Sequence, residues 1–221
     1  MCNSYGLGGY LHEKETPKDP LRPLDIRKNE RAIAEWAQQL DGRAAITGKK
    51  SKNLNPLIRA DNSGERRLDF AWWWIWLDAR GPAHYPAFNS RDDNLTKSWK
   101  KQFQERAILP ASWYVEKKGK FSLPGNQQFG IAAVTSTIKQ DDGTELVTYS
   151  MVTRNSPPGS EAAEYWHRMP LLLPRETHDT WLNPDRPGNT ELVTEIQHAS
   201  EQISRQLTTN ETPPPPIETL Y

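Results

Sequence analysis

Residues 68–77 read LDFAWWWIWL, a run that is apolar on both faces of any strand it forms. A strand with one solvated face alternates apolar and polar residues, so a run without alternation must be covered on both sides. The segment therefore calls for a central strand with further elements packed above and below it. LIRA at 57–60 reads as a neighbouring strand, and four more apolar, β-branched stretches follow: RAILPASWYVE, FGIAAVTSTI, ELVTYSMVTR and HRMPLLL. The QDDG between the second and third of these is a hairpin signal.

Helical periodicity frames these strands. Residues 25–42 place Ile33, Trp36, Ala37 and Leu40 on one stripe, with Gly42 as the stop. The loop TGKKSKNLNP gathers Lys49, Lys50 and Lys52 beside asparagines and a proline. A short amphipathic helix is expected where Leu95, Trp99 and Phe103 recur every four residues, with Lys97, Lys100 and Lys101 on its other sides. One closing helix follows Pro174, and another, near 189–205, lines up Leu192, Ile196, Ala199 and Ile203. Mixed strands and helices without a βαβ rhythm or an internal repeat point to an α+β fold. The reading is one domain over residues 1–207, then a proline-rich tail over 208–221 whose four consecutive prolines favour extended, solvated backbone.

Charge is balanced, 28 basic against 28 acidic side chains, so any site for an anionic partner must be local. No apolar run is long enough to span a bilayer and no signal peptide is evident, which reads as a cytoplasmic protein with no membrane partner. Nine tryptophans stand against five phenylalanines. Indole rings need large pockets and N–H partners, so core packing is the first account of most of them. Those of 72–76 fall on alternating faces, which leaves Trp74 and Trp76 as candidate stacking platforms for unpaired bases.

The single cysteine is Cys2. A lone thiol forms no internal disulfide. Removal of Met1 would leave Cys2 with an α-amine and a thiol on adjacent carbons. An α-amine has a pKa of about 8, so part of it is neutral and nucleophilic near pH 7. Such an amine attacks an aldehyde, and the neighbouring thiol closes the imine to a five-membered thiazolidine. The same thiol would also serve as a hydrolytic nucleophile with its own amine as base. A third reading makes position 2 incidental.

Several stretches, taken in order, resemble the SOS response associated peptidase (SRAP) family. The family opens Met-Cys-Gly-Arg, here MCNS; its Asn-Ala-Arg-Ala-Glu-Thr is similar to NSRDDN at 89–94. Its Pro-Ala-Asp-Gly-Phe-Tyr-Glu-Trp is similar to PASWYVEK, with Pro110, Ala111 and Glu116 in register. Its Thr, followed by His-Asp-Arg-Met-Pro and aliphatics, resembles MVTRN and then WHRMPLLL. NLNP echoes the family's Asn-Ile-Ala-Pro and puts Asn53 at its asparagine, while FAWWWIW stands where the family has a Trp-Gly strand. The resemblance spans residues 1 to about 185.

What the resemblance implies is a mixed, partly barrel-like sheet flanked by helices, with the chain acting as a suicide sensor of abasic sites in single-stranded DNA. Cys2 would capture the ring-opened sugar aldehyde as a thiazolidine. The family also carries a peptidase label tied to removal of its first residue, so the implied enzyme is a cysteine peptidase or lyase-like crosslinker. Asn89 would orient the attack, and Glu116 would shuttle protons as the carbinolamine loses water. Arg91 and Arg168 would grip phosphates, unless either ties down a carboxylate such as Asp92. The partner is single-stranded DNA bearing abasic sites, met by a monomer; no cofactor and no metal is implied. Two departures stand out. The family's histidine position is Trp166, with His167 one step later and therefore on the opposite strand face, and Ser4 replaces an arginine. His84 is the other histidine close to Asn89 in sequence. Two alternatives follow, an N-terminal-cysteine autopeptidase or amidohydrolase and a non-reactive binder of single-stranded DNA.

Overall fold

In the computed structural model, which describes residues 4–7, 26–39, 45–47, 54–117 and 119–209, the run at 68–77 supplies a strand covered on both flanks. The strands are β1 (Ser4–Gly6), β2 (Ala45–Thr47), β3 (Leu54–Ala60), β4 (Arg66–Trp73), β5 (Trp76–Asp78), β6 (Gly81–Pro82) and β7 (Asn89–Arg91). They continue with β8 (Arg106–Ala111), β9 (Trp113–Glu116), β10 (Gly119–Ser122), β11 (Phe129–Lys139), β12 (Glu145–Asn155), β13 (Arg168–Pro170) and β14 (Leu172–Leu173). The helices are α1 (Ile26–Gln39), α2 (Glu161–Tyr165), α3 (His178–Leu182) and α4 (Thr190–Ser204).

β4 lies between β3, antiparallel, and β12, parallel, and the pairing continues β3–β8–β11–β12 until it closes. The result is a five-stranded barrel inside a mixed α+β domain. The closing contact is short, Thr148 against Trp72 and Tyr149 against Trp73. β7 and β13 extend β12, and β14 extends β11. QDDG is the turn of the long β11–β12 hairpin, with Gly143 at φ 83°. α4 begins at Asn189, whose side-chain oxygen accepts from the Leu192 amide at 3.0 Å, and packs on β14.

The apolar run is interrupted after Trp73, where the chain bends through Trp74 and Ile75 before β5. The segment expected as an amphipathic helix at 95–103 forms turns between two short 3-10 segments instead. Leu95, Trp99 and Phe103 are nonetheless buried and Lys97, Lys100 and Lys101 exposed, because turns also return the chain every three to four residues. Residues 210–221 and the lysines at 49, 50 and 52 lie outside the described residues.

A second sheet, ordered β10-β9-β1-β2, is built on the strand that leaves the barrel. β8 breaks at Ser112, and β9 carries on in the new sheet. The Ser112 amide donates to the Gly6 carbonyl at 2.7 Å, so β1 holds the break in place. β1 also reaches into the barrel through Tyr5. Its hydroxyl shares a 2.8 Å hydrogen bond with that of Tyr149, and its ring meets Trp73 edge-on at 5.2 Å. Trp73 in turn stacks on Tyr149 at 6.0 Å and donates its indole N–H to the Phe88 carbonyl. Burial pushes the Tyr149 phenol far above its usual pKa, so it stays neutral. Tyr149→Phe is expected to cost about 1–2 kcal/mol by removing one partner from a buried hydroxyl. The readout is a lower urea midpoint at unchanged m-value.

Candidate functional site

Glu116 ends β9 and is 4 % exposed. Burial raises its carboxyl pKa, while the Lys117 amide, by hydrogen bonding, and the Lys117 charge pull it partly back down. The group thus keeps its proton at a pH where an exposed glutamate has lost it, which suits it to give and retake a proton.

The backbone around Glu116 is tightly specified. β9 and β10 pair with Glu116 opposite Gly119, leaving a two-residue turn that starts at Lys117. Lys117 has φ 56°, the left-handed conformation such turns demand, at a cost of about 1 kcal/mol for a residue with a β-carbon. A β-carbon at Gly119 would lie 2.7 Å from the Tyr165 ring, so only glycine lets α2 close onto the hairpin. Tyr165 then packs edge-on against Phe121 at 5.0 Å. That contact carries Trp166, the next residue, to the turn, where the Lys117 Nζ sits 3.8 Å from the centre of its ring.

The indole of Trp166 is thus held over the ammonium of Lys117, the residue after Glu116, and the exposed His167 ring lies 4.4 Å from that indole. The main chain here is pinned: the Ser156 Oγ donates to the Trp166 carbonyl at 2.8 Å and the Ser156 amide to the His167 carbonyl at 3.0 Å. His84 is exposed.

Asn89 begins β7, paired with Met151, and is buried. It follows Phe88, whose ring meets Trp73 at 6.2 Å, and Trp73 touches Tyr5. Asn89 and Glu116 thus approach β1 from different sheets, the first through Trp73, the second through β9. Cys2 and Asn53 lie outside the described residues.

Both arginines pair with carboxylates. Arg168 is 5 % exposed and points inward, donating to Asp92 at 3.1 Å, to the Thr153 hydroxyl at 3.0 Å and to Asn155 Oδ1 at 2.8 Å. The Gln197 amide donates to the other Asp92 oxygen at 2.6 Å. Paired with Asp92, Arg168 ties β13 and β12 to α4, the carboxylate role that the sequence leaves open beside a phosphate grip. Arg91 is exposed but forked onto Asp93 at 2.9 and 2.5 Å. Trp74 is half-buried, donates to the Ala83 carbonyl at 3.0 Å and packs on Phe88. Trp76 is half-buried against Trp72 at 5.4 Å. The Lys117–Trp166 pair escaped sequence reasoning; the signal was two adjacent departures from one family pattern, a lysine at its tryptophan and a tryptophan at its histidine.

Glu116 has a testable signature. Its folded pKa lies above the unfolded value of about 4.3, so its contribution is complete below that pH and is lost as pH rises through the folded value. The stability difference between the wild type and Glu116→Gln should therefore shift against the wild type as pH rises above about 4.3, read from paired urea titrations.

A family model described as SOS response associated peptidase (SRAP) matches residues 24–210. No curated protein matches the sequence. Among solved structures, a Bordetella bronchiseptica protein aligns with TM-score 0.61 and 15 % identity over 96 % of this chain and 100 % of its own. A phage-related protein from the same organism gives 0.56 and 13 % over 94 % and 92 %. A Bacteroides thetaiotaomicron protein gives 0.53 and 19 % over 70 % and 72 %. At these identities the likeness is one of fold.

Proposed function

The chain belongs to the SOS response associated peptidase family, and on that premise we propose that it captures abasic sites in single-stranded DNA covalently through Cys2. Membership connects it with the response to DNA damage; the capture chemistry is our reading. The observation that carries this reading is the place of β1, paired on both sides within its sheet, with Ser4 opposite Val115. Two steps of 3.8 Å bound the distance from the Ser4 Cα to that of Cys2 at roughly 7 Å, whatever path the chain takes between them. Cys2 is thereby tethered to the strand that ends in Glu116.

With Met1 removed, the free amine of Cys2 attacks C1 of the open sugar to give a carbinolamine. Glu116, its pKa raised by burial, donates a proton to the departing hydroxyl as water leaves and retakes the one that nitrogen sheds as the imine forms. The thiol adds across the C=N bond, its proton passing to nitrogen, and the thiazolidine closes. One water is lost overall and no oxidant is needed. Asn89 is assigned to orienting the sugar or the amine. His167 is not required in this scheme, so Glu116 carries the acid role alone. No helix among the described residues is long and apolar enough to cross a membrane.

The test is a denaturing gel of the protein with single-stranded DNA containing one abasic site, beside intact DNA. A heat-stable band is expected with abasic DNA only, absent with Cys2→Ser and formed about 10²-fold more slowly or worse with Glu116→Gln. No band, from protein whose mass shows Met1 gone, would favour the non-reactive binder that Trp166 and Ser4 suggest. Release of a peptide or amide product would favour the amidohydrolase.

A further inference from the structure

We propose that Lys117 and Trp166 form a receptor for one nucleotide of the bound strand, the ammonium taking a backbone phosphate and the indole stacking on a base. This rests on the single-stranded DNA reading but not on covalent capture. The first argument is charge. The two arginines that sequence marks for phosphate are already committed, Arg168 to Asp92 and Arg91 to Asp93, and Arg154 and Arg205 share Glu201. Lys117 is exposed and in no salt bridge among the described residues; its described partner is the face of an indole. A phosphate attracts an ammonium more strongly than a ring quadrupole does, so the cation has a better partner to move to.

The second argument is backbone. A lysine in the left-handed conformation stands where glycine or asparagine is at ease, and the turn aims its side chain at Trp166. The third is the ring. Trp166 is half-exposed on a pinned main chain, and its indole Nε1 has no hydrogen-bond partner among the described residues. The Trp73, Trp36 and Trp181 indoles donate to carbonyls, whereas Trp166 shares its unpartnered donor with Trp72 and Trp76. Drawn off the ring by a phosphate, Lys117 uncovers an aromatic face, and a flanking base can occupy it.

Reversible binding tests this in the Cys2→Ser background with the full chain. The measurement is anisotropy of a labelled oligothymidylate across a salt series. Lys117→Gly relieves the positive φ, so it should melt no lower than its parent yet bind severalfold more weakly, with the salt slope reduced by about 0.7. Lys117→Arg should keep the slope. Trp166→Ala should weaken binding roughly tenfold at unchanged slope. Lys117→Gly and Trp166→Ala matching the parent in affinity and slope, or a parent that does not bind the strand, would overturn the proposal. Weakened binding by both variants, from a wild type that forms no abasic crosslink, would leave the receptor standing and remove covalent capture.

Discussion

The pairing of Ser4–Gly6 between β2 and β9 is the constraint on which the rest of the site depends. A chain terminus ordinarily frays, because few contacts offset the entropy of ordering it. Here three residues hydrogen-bond to strands on both sides, and Tyr5 adds a buried ring and a hydroxyl bond to Tyr149 across the domain. The barrel and the second sheet are thereby joined through a residue three positions from Cys2. The Gly6 carbonyl, bonded to Ser112, also fixes where β8 ends and β9 begins, and so where Glu116 comes to rest. Positioning of this kind lowers the entropy cost of a bimolecular attack before any proton moves.

The acid corner follows from the same strand. β9 leads into a strained turn at Lys117, Gly119 admits Tyr165, and Tyr165 delivers Trp166. The outcome is a buried glutamic acid followed by a lysine whose ammonium sits over an indole, where the family pattern places tryptophan and histidine. An indole has no proton to trade at neutral pH, so in the proposed scheme the acid role falls to Glu116.

Local signals were legible in the sequence and distant pairings were not. The alternation and β-branching of 129–138 and 145–154, joined by QDDG, specified a hairpin, and the spacing of Leu192, Ile196 and Ile203 specified α4. Closure of the barrel depends on a parallel contact between Trp72 and Thr148, distant in sequence and without a compositional mark. The turns at 95–103 share their every-fourth periodicity with a helix, so pattern alone could not separate the two. Glu116 was found through its place in a motif, and its burial agrees with an acid/base role. Arg168 was found the same way with two roles open, a phosphate or a carboxylate such as Asp92, and the structure pairs it with Asp92. Lys117 was invisible as a site residue because its meaning lies in a φ angle and in a ring brought up by α2.

The most direct measurement is the intact and peptide-level mass of the protein after reaction with abasic single-stranded DNA and nuclease trimming. The account predicts an adduct on the N-terminal peptide beginning at Cys2, heavier than that peptide by the trimmed sugar fragment less one water, and stable without a reductant. An adduct on a lysine, one seen only after borohydride reduction, or an unmodified Cys2 peptide from protein that has lost Met1 would contradict it.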